Sequence, residues 1–124
     1  MWESLGLRKF PRLNINCDID IKDIKSSFHL STTTQNIGAG GVCVILMREL
    51  PRFSKINLRI HLNDSMPPIQ CVGKVCWNVH SKVLFKNNET RFDTGIEFQE
   101  LLPADRERIK AYIDKSWENV GTNR

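Results

Sequence analysis

Hydrophobic and polar residues alternate along three stretches of this 124-residue chain, and strictly so in the first of them. In residues 13–21, LNINCDIDI, every odd-numbered position is apolar and every even-numbered position is polar. The same alternation occurs in residues 54–62, SKINLRIHL, and in residues 69–79, IQCVGKVCWNV. Strict alternation is the pattern of a strand with one buried face and one solvated face, so each stretch is predicted to be a strand.

Less regular alternation predicts further strands near residues 27–33, 42–47, 82–85 and 91–98. Turn-forming residues separate neighbouring segments, as in NDSMPP at 63–68 and KNNET at 86–90. Successive short strands joined by such turns favour an antiparallel sheet. Because so many half-buried strands need a shared apolar interior, the sheet is predicted to close into a small barrel over residues 13–98.

The long stretch at 69–79 contains two positions of special interest. Gly73 is predicted to mark a bend or a bulge, because glycine weakens a strand interior. Trp77 shares the apolar phase of Ile69 and Val75, so it is expected to point into the core.

The hydrophobic period changes at the carboxyl end of the chain, where residues 103–119 are predicted to form one amphipathic helix. Pro103 suits a first helical turn. The apolar stripe at helical spacing consists of Leu102, Ile109, Tyr112, Ile113 and Trp117. No repeat or linker interrupts the chain, so residues 1–124 are expected to form a single domain.

The charge of the chain is mildly positive and unevenly placed. Lys and Arg number 18 against 14 Asp and Glu, a formal charge of +4, which favours an anionic partner. Arg8, Lys9 and Arg12 concentrate this charge beside Pro11, which disfavours a helix there, so residues 1–12 are expected to be a flexible extended segment. Arginine forks pair with phosphates and with the guanine edge, so Arg8 and Arg12 are candidates to bind one nucleotide.

A second candidate stretch is NIGAGG, residues 36–41, between two predicted strands. Its glycines are expected to permit positive backbone dihedrals and the close approach of a ligand, and Asn36 can offer an amide edge to a base. The spacing is that of neither a Walker loop nor a dinucleotide fingerprint.

Metal and catalytic chemistry find little support in the chain. The four cysteines, Cys17, Cys43, Cys71 and Cys76, include no CxxC pair, so no metal site is predicted. The three histidines lie on different predicted strands without a placed nucleophile, so no catalytic residue and no enzyme is predicted. No signal sequence and no apolar run of ~18 residues is present, and a cytoplasmic location is expected.

The two candidate stretches together resemble the PilZ domain family, whose signature is RxxxR, a spacer and [DN]xSxxG. Arg8 and Arg12 match its first half, and Asn36 and Gly41 match its second half. Three further stretches follow in the order that the family shows, namely GKVCW at 73–77, TGIEF at 94–98 and PADRERIKAYI at 103–113.

The resemblance implies a mainly β fold, a six-stranded antiparallel barrel with a C-terminal helix. It also implies a bacterial receptor for the second messenger cyclic di-GMP, with no cofactor and no catalysis of its own. The ligand-binding residues that it implies are Arg8, Lys9 and Arg12 on one side of the ligand and Asn36, Gly38 and Gly41 on the other.

Two of these positions depart from the commonest family pattern. Gly38 stands where the family usually has Ser, so the hydroxyl that would contact the ligand is missing, and Asn36 replaces the commoner Asp. Losing one neutral hydrogen bond costs about 0.5–1.5 kcal/mol, so nucleotide binding is expected to be weakened and not abolished.

Binding is expected to close residues 1–12 over the nucleotide and so to regulate an effector protein in motility, biofilm formation or polysaccharide output. Two alternatives stay open. One is a degenerate PilZ module that binds a protein and ignores the nucleotide, which the Gly38 departure favours. The other, less expected, is a barrel that binds single-stranded nucleic acid, favoured by the basic charge and by four aromatic residues, Phe28, Phe53, Trp77 and Phe85.

Overall fold

The structure, a computed structural model, describes residues 15–25, 29–80 and 90–122. It contains strands β1 (Asp18–Asp23), β2 (His29–Ile37), β3 (Gly41–Leu46), β4 (Lys55–His61), β5 (Ile69–His80) and β6 (Phe92–Phe98), followed by helix α1 (Pro103–Thr122). The predicted strand at 82–85 and the predicted flexible segment at 1–12 lie outside the described residues.

The six strands form a closed barrel in which every neighbouring pair is antiparallel. Their order around the barrel is β1, β2, β3, β6, β5, β4, and β4 closes the barrel onto β1. The prediction of a six-stranded antiparallel barrel with a C-terminal helix is therefore confirmed.

The alternating pattern of the sequence accounts for the barrel interior. The inward residues of β1 and β4 are almost fully buried, with exposed fractions of 0–3% for Ile19, Ile21, Ile56, Leu58 and Ile60. Burying each such side chain stabilises the fold by about 1.5–3 kcal/mol. The intervening polar residues face outward, so the described part of the barrel interior is lined by apolar side chains.

Strand β1 begins later than the sequence predicts, at Asp18 instead of residue 13. Ile15 and Cys17 are nevertheless buried, as the alternation requires. The polypeptide before β1 is held by Thr34, whose backbone N–H donates to the carbonyl oxygen of Cys17 at 2.8 Å. The burial pattern was thus predicted correctly, and the strand boundary was not.

Strand β5 contains a bulge, but it does not lie at Gly73. The register with β6 shifts between Val75 and Trp77, which leaves Cys76 as the extra residue. Gly73 pairs regularly, and a Cβ there would lie 2.6 Å from the side chain of Ile96. Gly73 therefore makes room for a core side chain, and the prediction of a bend or bulge at this residue is wrong.

The bulge changes the face on which Trp77 lies. Val75 pairs with Ile96, which is fully buried in the barrel, whereas Trp77 pairs with Gly95 on the outer face. Val79 follows Trp77 on this face and is 56% exposed. The prediction that Trp77 points into the core is therefore wrong, because one extra residue reverses the phase of the strand.

Helix α1 begins at Pro103 as predicted and ends three residues beyond the predicted end. Ile109 is fully buried and Tyr112 packs against the core, whereas Leu102 is 64% exposed and does not belong to the buried stripe. Arg108 donates two hydrogen bonds from its Nη2 to the carboxylate of Asp64, at 3.0 and 3.1 Å, and so joins the helix to the β4–β5 loop. None of the helices in the described ranges is long and apolar enough to cross a membrane.

Candidate functional site

The second half of the sequence motif forms a tight hairpin between β2 and β3. Asn36 lies near the end of β2, Gly38 follows the strand, and Gly41 is the first residue of β3. The N–H of Gly38 donates to the carbonyl oxygen of Gly41 at 2.9 Å. The carbonyl oxygen of Gly40 accepts from the N–H of Phe98 at 2.9 Å, which fixes the hairpin to the end of β6.

The glycines of this hairpin are not needed for unusual backbone angles. No glycine in the described ranges has a positive φ, so the prediction of positive dihedrals is wrong. Gly41 is required because the carbonyl of Ile96 occupies the place of a Cβ. A Cβ on Gly38 or Gly40 would instead meet nothing within 4 Å, so the surface beside both residues is open to a ligand.

Asn36 is directed outward by an irregularity in β2. Thr34 pairs with Val44 and Asn36 pairs with Cys43, so Gln35 is an extra residue. The side-chain Oδ1 of Asn36 accepts from the N–H of Ile37 at 2.9 Å. An amide oxygen has two lone pairs, so Asn36 retains capacity for one bond to a ligand.

Asn36 begins a row of four neighbouring residues across the outer face of β2, β3, β6 and β5. The successive pairs are Asn36 with Cys43, Cys43 with Gly95, and Gly95 with Trp77. Three strand spacings separate the ends of the row, about 14 Å. The indole of Trp77 lies against Gly95, and its buried Nε1 has no hydrogen-bond partner among the residues described. Sequence reasoning missed Trp77 as a neighbour of the site, because no sequence signal reveals the bulge.

Thr34 connects this hairpin to the part of the chain that follows the two arginines. Its fully buried side-chain Oγ1 accepts from the N–H of Cys17 at 3.0 Å and donates to the carbonyl oxygen of Ile15 at 3.1 Å. Burial raises the pKa of the neighbouring Cys17 thiol, which therefore stays protonated and neutral. Ile15 and Cys17 are thus held at Thr34, which precedes Asn36 by two residues along β2.

Helix α1 contacts both parts of the candidate site. Arg106 donates from Nη1 to the carbonyl oxygen of Ala39, in the hairpin, at 3.2 Å. Tyr112 donates from its hydroxyl to the carbonyl oxygen of Asn16 at 3.1 Å. A displacement of either the hairpin or the segment before β1 would therefore change a contact of the helix.

The structure brings together three of the six predicted ligand-binding residues, Asn36, Gly38 and Gly41. Arg8, Lys9 and Arg12 lie outside the described residues. A separate surface groove of about 940 Å³ lies on β1, β4 and β5, and none of the three hairpin residues lines it. No group of three potential metal ligands occurs within residues 15–25, 29–80 and 90–122.

Together these features define a small β-barrel domain whose candidate site lies on the outer surface of a filled barrel. The profile of the PilZ domain family matches residues 6–115. The chain therefore belongs to the PilZ domain family, a family of cyclic di-GMP receptors.

Three solved structures share this fold. The Bacillus subtilis inhibitor of motility MotI has a TM-score of 0.71 at 20% identity over 91% of this chain. The PilZ domain of Escherichia coli YcgR, solved with c-di-GMP, has a TM-score of 0.66 at 12% identity over 92% of this chain and 97% of that one. MrkH of K. pneumonia has a TM-score of 0.75 at 14% identity over 94% of this chain.

For two of these proteins, the match covers only part of their own length. This chain spans about half the length of MotI and of MrkH, 52% and 53% respectively. At these identities the similarity concerns the fold alone. No curated protein matches the chain significantly in sequence.

Proposed function

We propose that this protein is a cyclic di-GMP receptor that changes conformation on binding and thereby regulates a partner protein. The nucleotide would lie between the arginine segment and the hairpin at residues 36–41. Membership of the PilZ family supports the ligand, and the open surface beside Gly38 supports its position.

The contact between Thr34 and the segment at 15–17 is the observation that carries this proposal. It fixes Ile15 beside the strand that leads to Asn36. A chain spans at most about 3.6 Å per residue, so the Cα of Arg12 lies within about 11 Å of the Cα of Ile15. A nucleotide bound at the hairpin would therefore lie within reach of an arginine side chain at position 12, which supports placing the ligand between the two halves of the motif.

The proposed roles follow from the chemistry of each side chain. Arg8 and Arg12 would donate to the phosphates and to the O6 and N7 acceptors of guanine, and Lys9 would add positive charge. Asn36 would accept from the guanine N–H groups through Oδ1. The space beside Gly38 admits the nucleotide close to the backbone, where an N–H or a water replaces the missing hydroxyl.

Helix α1 is the proposed route from binding to output. Closing residues 1–12 over the nucleotide would move the chain that precedes Asn16, and ligand contact would adjust the hairpin at Ala39. The helix donates a hydrogen bond to the backbone carbonyl at each position, from Tyr112 to Asn16 and from Arg106 to Ala39. Hydrogen exchange tests this step: protection should rise in residues 5–13 when nucleotide binds, and equal protection in both states would contradict it.

Competition binding tests the identity of the ligand. Fluorescently labelled cyclic di-GMP should bind the wild-type protein and be displaced by unlabelled cyclic di-GMP, but not by equal concentrations of cyclic di-AMP or GTP. Displacement by all three nucleotides would show a general anion site and would contradict the proposal.

A second candidate function is a PilZ module that binds a protein without the nucleotide. The specific observation in its favour is Gly38, which supplies no hydroxyl to the ligand. Under this alternative, labelled cyclic di-GMP would show no saturable binding even when Gly38→Ser restores the hydroxyl.

A further inference from the structure

Phe53 occupies a backbone position that its side chain disfavours. It is the third residue of the turn Pro51–Ser54, which is closed by a 3.2 Å hydrogen bond from the N–H of Ser54 to the carbonyl oxygen of Pro51. Its φ is 69°, which matches a type II turn, where glycine or asparagine is the usual third residue. A bulky aromatic residue at positive φ is a strained outlier, and such strain marks functional sites.

The strain of Phe53 is not explained by burial of its ring. The side chain is 62% exposed. Its backbone is nevertheless fixed, because its N–H donates to the carbonyl oxygen of Val75 at 2.7 Å and the Ser54 hydroxyl donates to Pro51 at 2.6 Å. The turn therefore presents an exposed aromatic ring on a fixed backbone, as an anchor residue in a protein interface does.

Two cations lie over this ring, and a third lies opposite one of them in the sheet. The Cζ of Arg52 lies 5.3 Å and the Nζ of Lys74 lies 5.4 Å from the ring centroid, within the range of cation–π attraction. Lys55 pairs directly with Lys74 across β4 and β5, an arrangement of like charges that destabilises a sheet. In the part of the chain that the structure describes, none of the three cations forms an ion pair.

The carboxylate opposite Lys74 on the neighbouring strand forms no ion pair with it among the residues described. Glu97 lies opposite Lys74 on β6, but its Oε1 accepts from the side-chain amide of Gln99 at 2.7 Å. The ammonium of Lys74 lies over Phe53 instead. A strained exposed aromatic residue and three cations that form no ion pair among the described residues thus occur at the same place.

We propose that Arg52, Phe53, Lys55 and Lys74, the Phe53 patch, form a docking surface for an acidic segment of a partner protein. The segment would place an apolar side chain against Phe53 and carboxylates on the surrounding cations. Such a segment would cover the exposed ring of Phe53 and neutralise the like charges of Lys55 and Lys74, so it would remove both unfavourable features of this surface.

A single-stranded nucleic acid fits the Phe53 patch less well. Binding of single strands relies on several aromatic residues on which successive bases stack. Among the strongly exposed apolar side chains in the described ranges, Phe53 is the only aromatic one.

The Phe53 patch adjoins the proposed nucleotide site, so this inference extends the proposed function by naming the chemistry of its partner. Lys74 is opposite Glu97, and Glu97 is opposite Gly41 of the hairpin. Two strand spacings, about 10 Å, separate Lys74 from Gly41. A nucleotide bound at the hairpin would lie close enough to influence a segment docked on the patch.

Selection from a random peptide display library on the immobilised wild-type protein tests the inference. Enriched peptides should share an apolar residue flanked by Asp or Glu. One such peptide, synthesised with a fluorophore, should bind wild type and should bind Phe53→Gly, Arg52→Glu and Lys74→Glu at least about tenfold more weakly, as for loss of an interface anchor. Arg59→Glu is the matched control, because Arg59 lies on the same outer face of β4, and it should bind normally.

The variants also separate this inference from the proposed function. Phe53→Gly suits the positive φ and should fold, which a thermal unfolding scan verifies, while Arg52→Glu gives an independent test that leaves the turn intact. Cyclic di-GMP binding should be unchanged in all three patch variants, whereas Asn36→Ala should weaken only nucleotide binding. If the peptide binds and cyclic di-GMP does not, the proposed function is wrong and the docking surface is still supported.

Four results would overturn the docking surface. They are a selection without enrichment, enriched peptides that lack acidic residues, equal peptide binding by wild type and Phe53→Gly, and Phe53-dependent binding of an oligothymidylate that displaces the peptide. The last result would assign the patch to single-stranded nucleic acid.

Discussion

The indole of Trp77 packs directly against Gly95 on the neighbouring strand, and this contact leaves no room for a Cβ at position 95. The bulge at Cys76 brings the tryptophan to the outer face of the barrel, where the bare backbone of Gly95 accommodates the ring. Through Cys43, the same row continues to Asn36. The position of Trp77 beside the candidate site therefore depends on a glycine two strands away from Asn36.

Replacing Gly95 by alanine should displace the indole and lower the free energy of unfolding by about 1–3 kcal/mol, the usual effect of overpacking. Urea unfolding measures this loss, and the fluorescence of the folded variant should change because the environment of Trp77 changes. Gly40→Ala is the control, since a Cβ there meets no atom within 4 Å, and it should change stability by less than about 0.5 kcal/mol. Equal stability of the two variants would show that the contact does not restrict position 95.

Thr34→Val should destabilise the protein by about 1–3 kcal/mol, because the buried N–H of Cys17 loses its acceptor while the shape of the side chain is kept. The variant should also bind cyclic di-GMP more weakly, since the segment that follows Arg12 is then held beside Thr34 only by the backbone bond to Cys17. Urea unfolding and nucleotide titration measure the two effects. Thr33→Val is the control: its hydroxyl makes an exposed bond to Asp18 at 3.3 Å, and both measurements should stay near wild type. Wild-type behaviour of Thr34→Val would contradict this role.

Gly38→Ser should strengthen cyclic di-GMP binding. The new side chain fits without a clash and φ is not positive, so a hydroxyl can face the ligand at little cost to stability. One added neutral hydrogen bond corresponds to about 0.5–1.5 kcal/mol, roughly a two- to tenfold gain in affinity. Gly40→Ser adds the same side chain to open surface two residues further on. Equal affinities for the two serine variants would show that position 38 does not face the nucleotide.

The partly buried thiol of Cys71 should make stability decrease in alkaline solution. Burial, with a smaller effect of the Asp105 carboxylate, raises the pKa of Cys71 from 9.0 to about 11. The unfolded chain therefore releases the proton first, so the stabilising contribution is complete below pH 9 and is lost as the pH rises through about 11. Urea unfolding of wild type and Cys71→Ala over this range should show a steeper decline for wild type. If the free energy of unfolding declines in parallel for wild type and Cys71→Ala, the thiol ionises equally in the folded and unfolded states.

The fold was predictable where its determinants are local in sequence. The strict alternation of Ile19 and Ile21 with Asp18 and Asp20 fixes which face of β1 is buried, whatever its partner strand. The start of α1 at Pro103 follows from the local change of period. The two bulges, at Gln35 and Cys76, could not be read from the sequence, because they depend on the register of strands far apart in the chain.

The candidate site was predictable in part. The family motif selected Asn36, Gly38 and Gly41, whose binding roles stay a prediction. The positive dihedrals expected for the glycines were wrong, since Gly41 instead accommodates the backbone of β6. Thr34 was missed because its partners precede it by 17 and 19 residues and nothing local marks it among three consecutive threonines. The roles of Arg8 and Arg12 remain a prediction.

Isothermal titration of cyclic di-GMP into wild type, Arg8→Ala and Arg12→Ala tests the central claim most directly. Wild type should show saturable heat, and each variant should lose about 1.5–3 kcal/mol of binding free energy, the range for a charge-assisted hydrogen bond. Unchanged urea unfolding of both variants would confirm that the loss concerns binding alone. Absence of heat and of a thermal shift with wild type at high micromolar nucleotide, or equal binding by all three proteins, would contradict the claim that the two arginines and the hairpin form a cyclic di-GMP site.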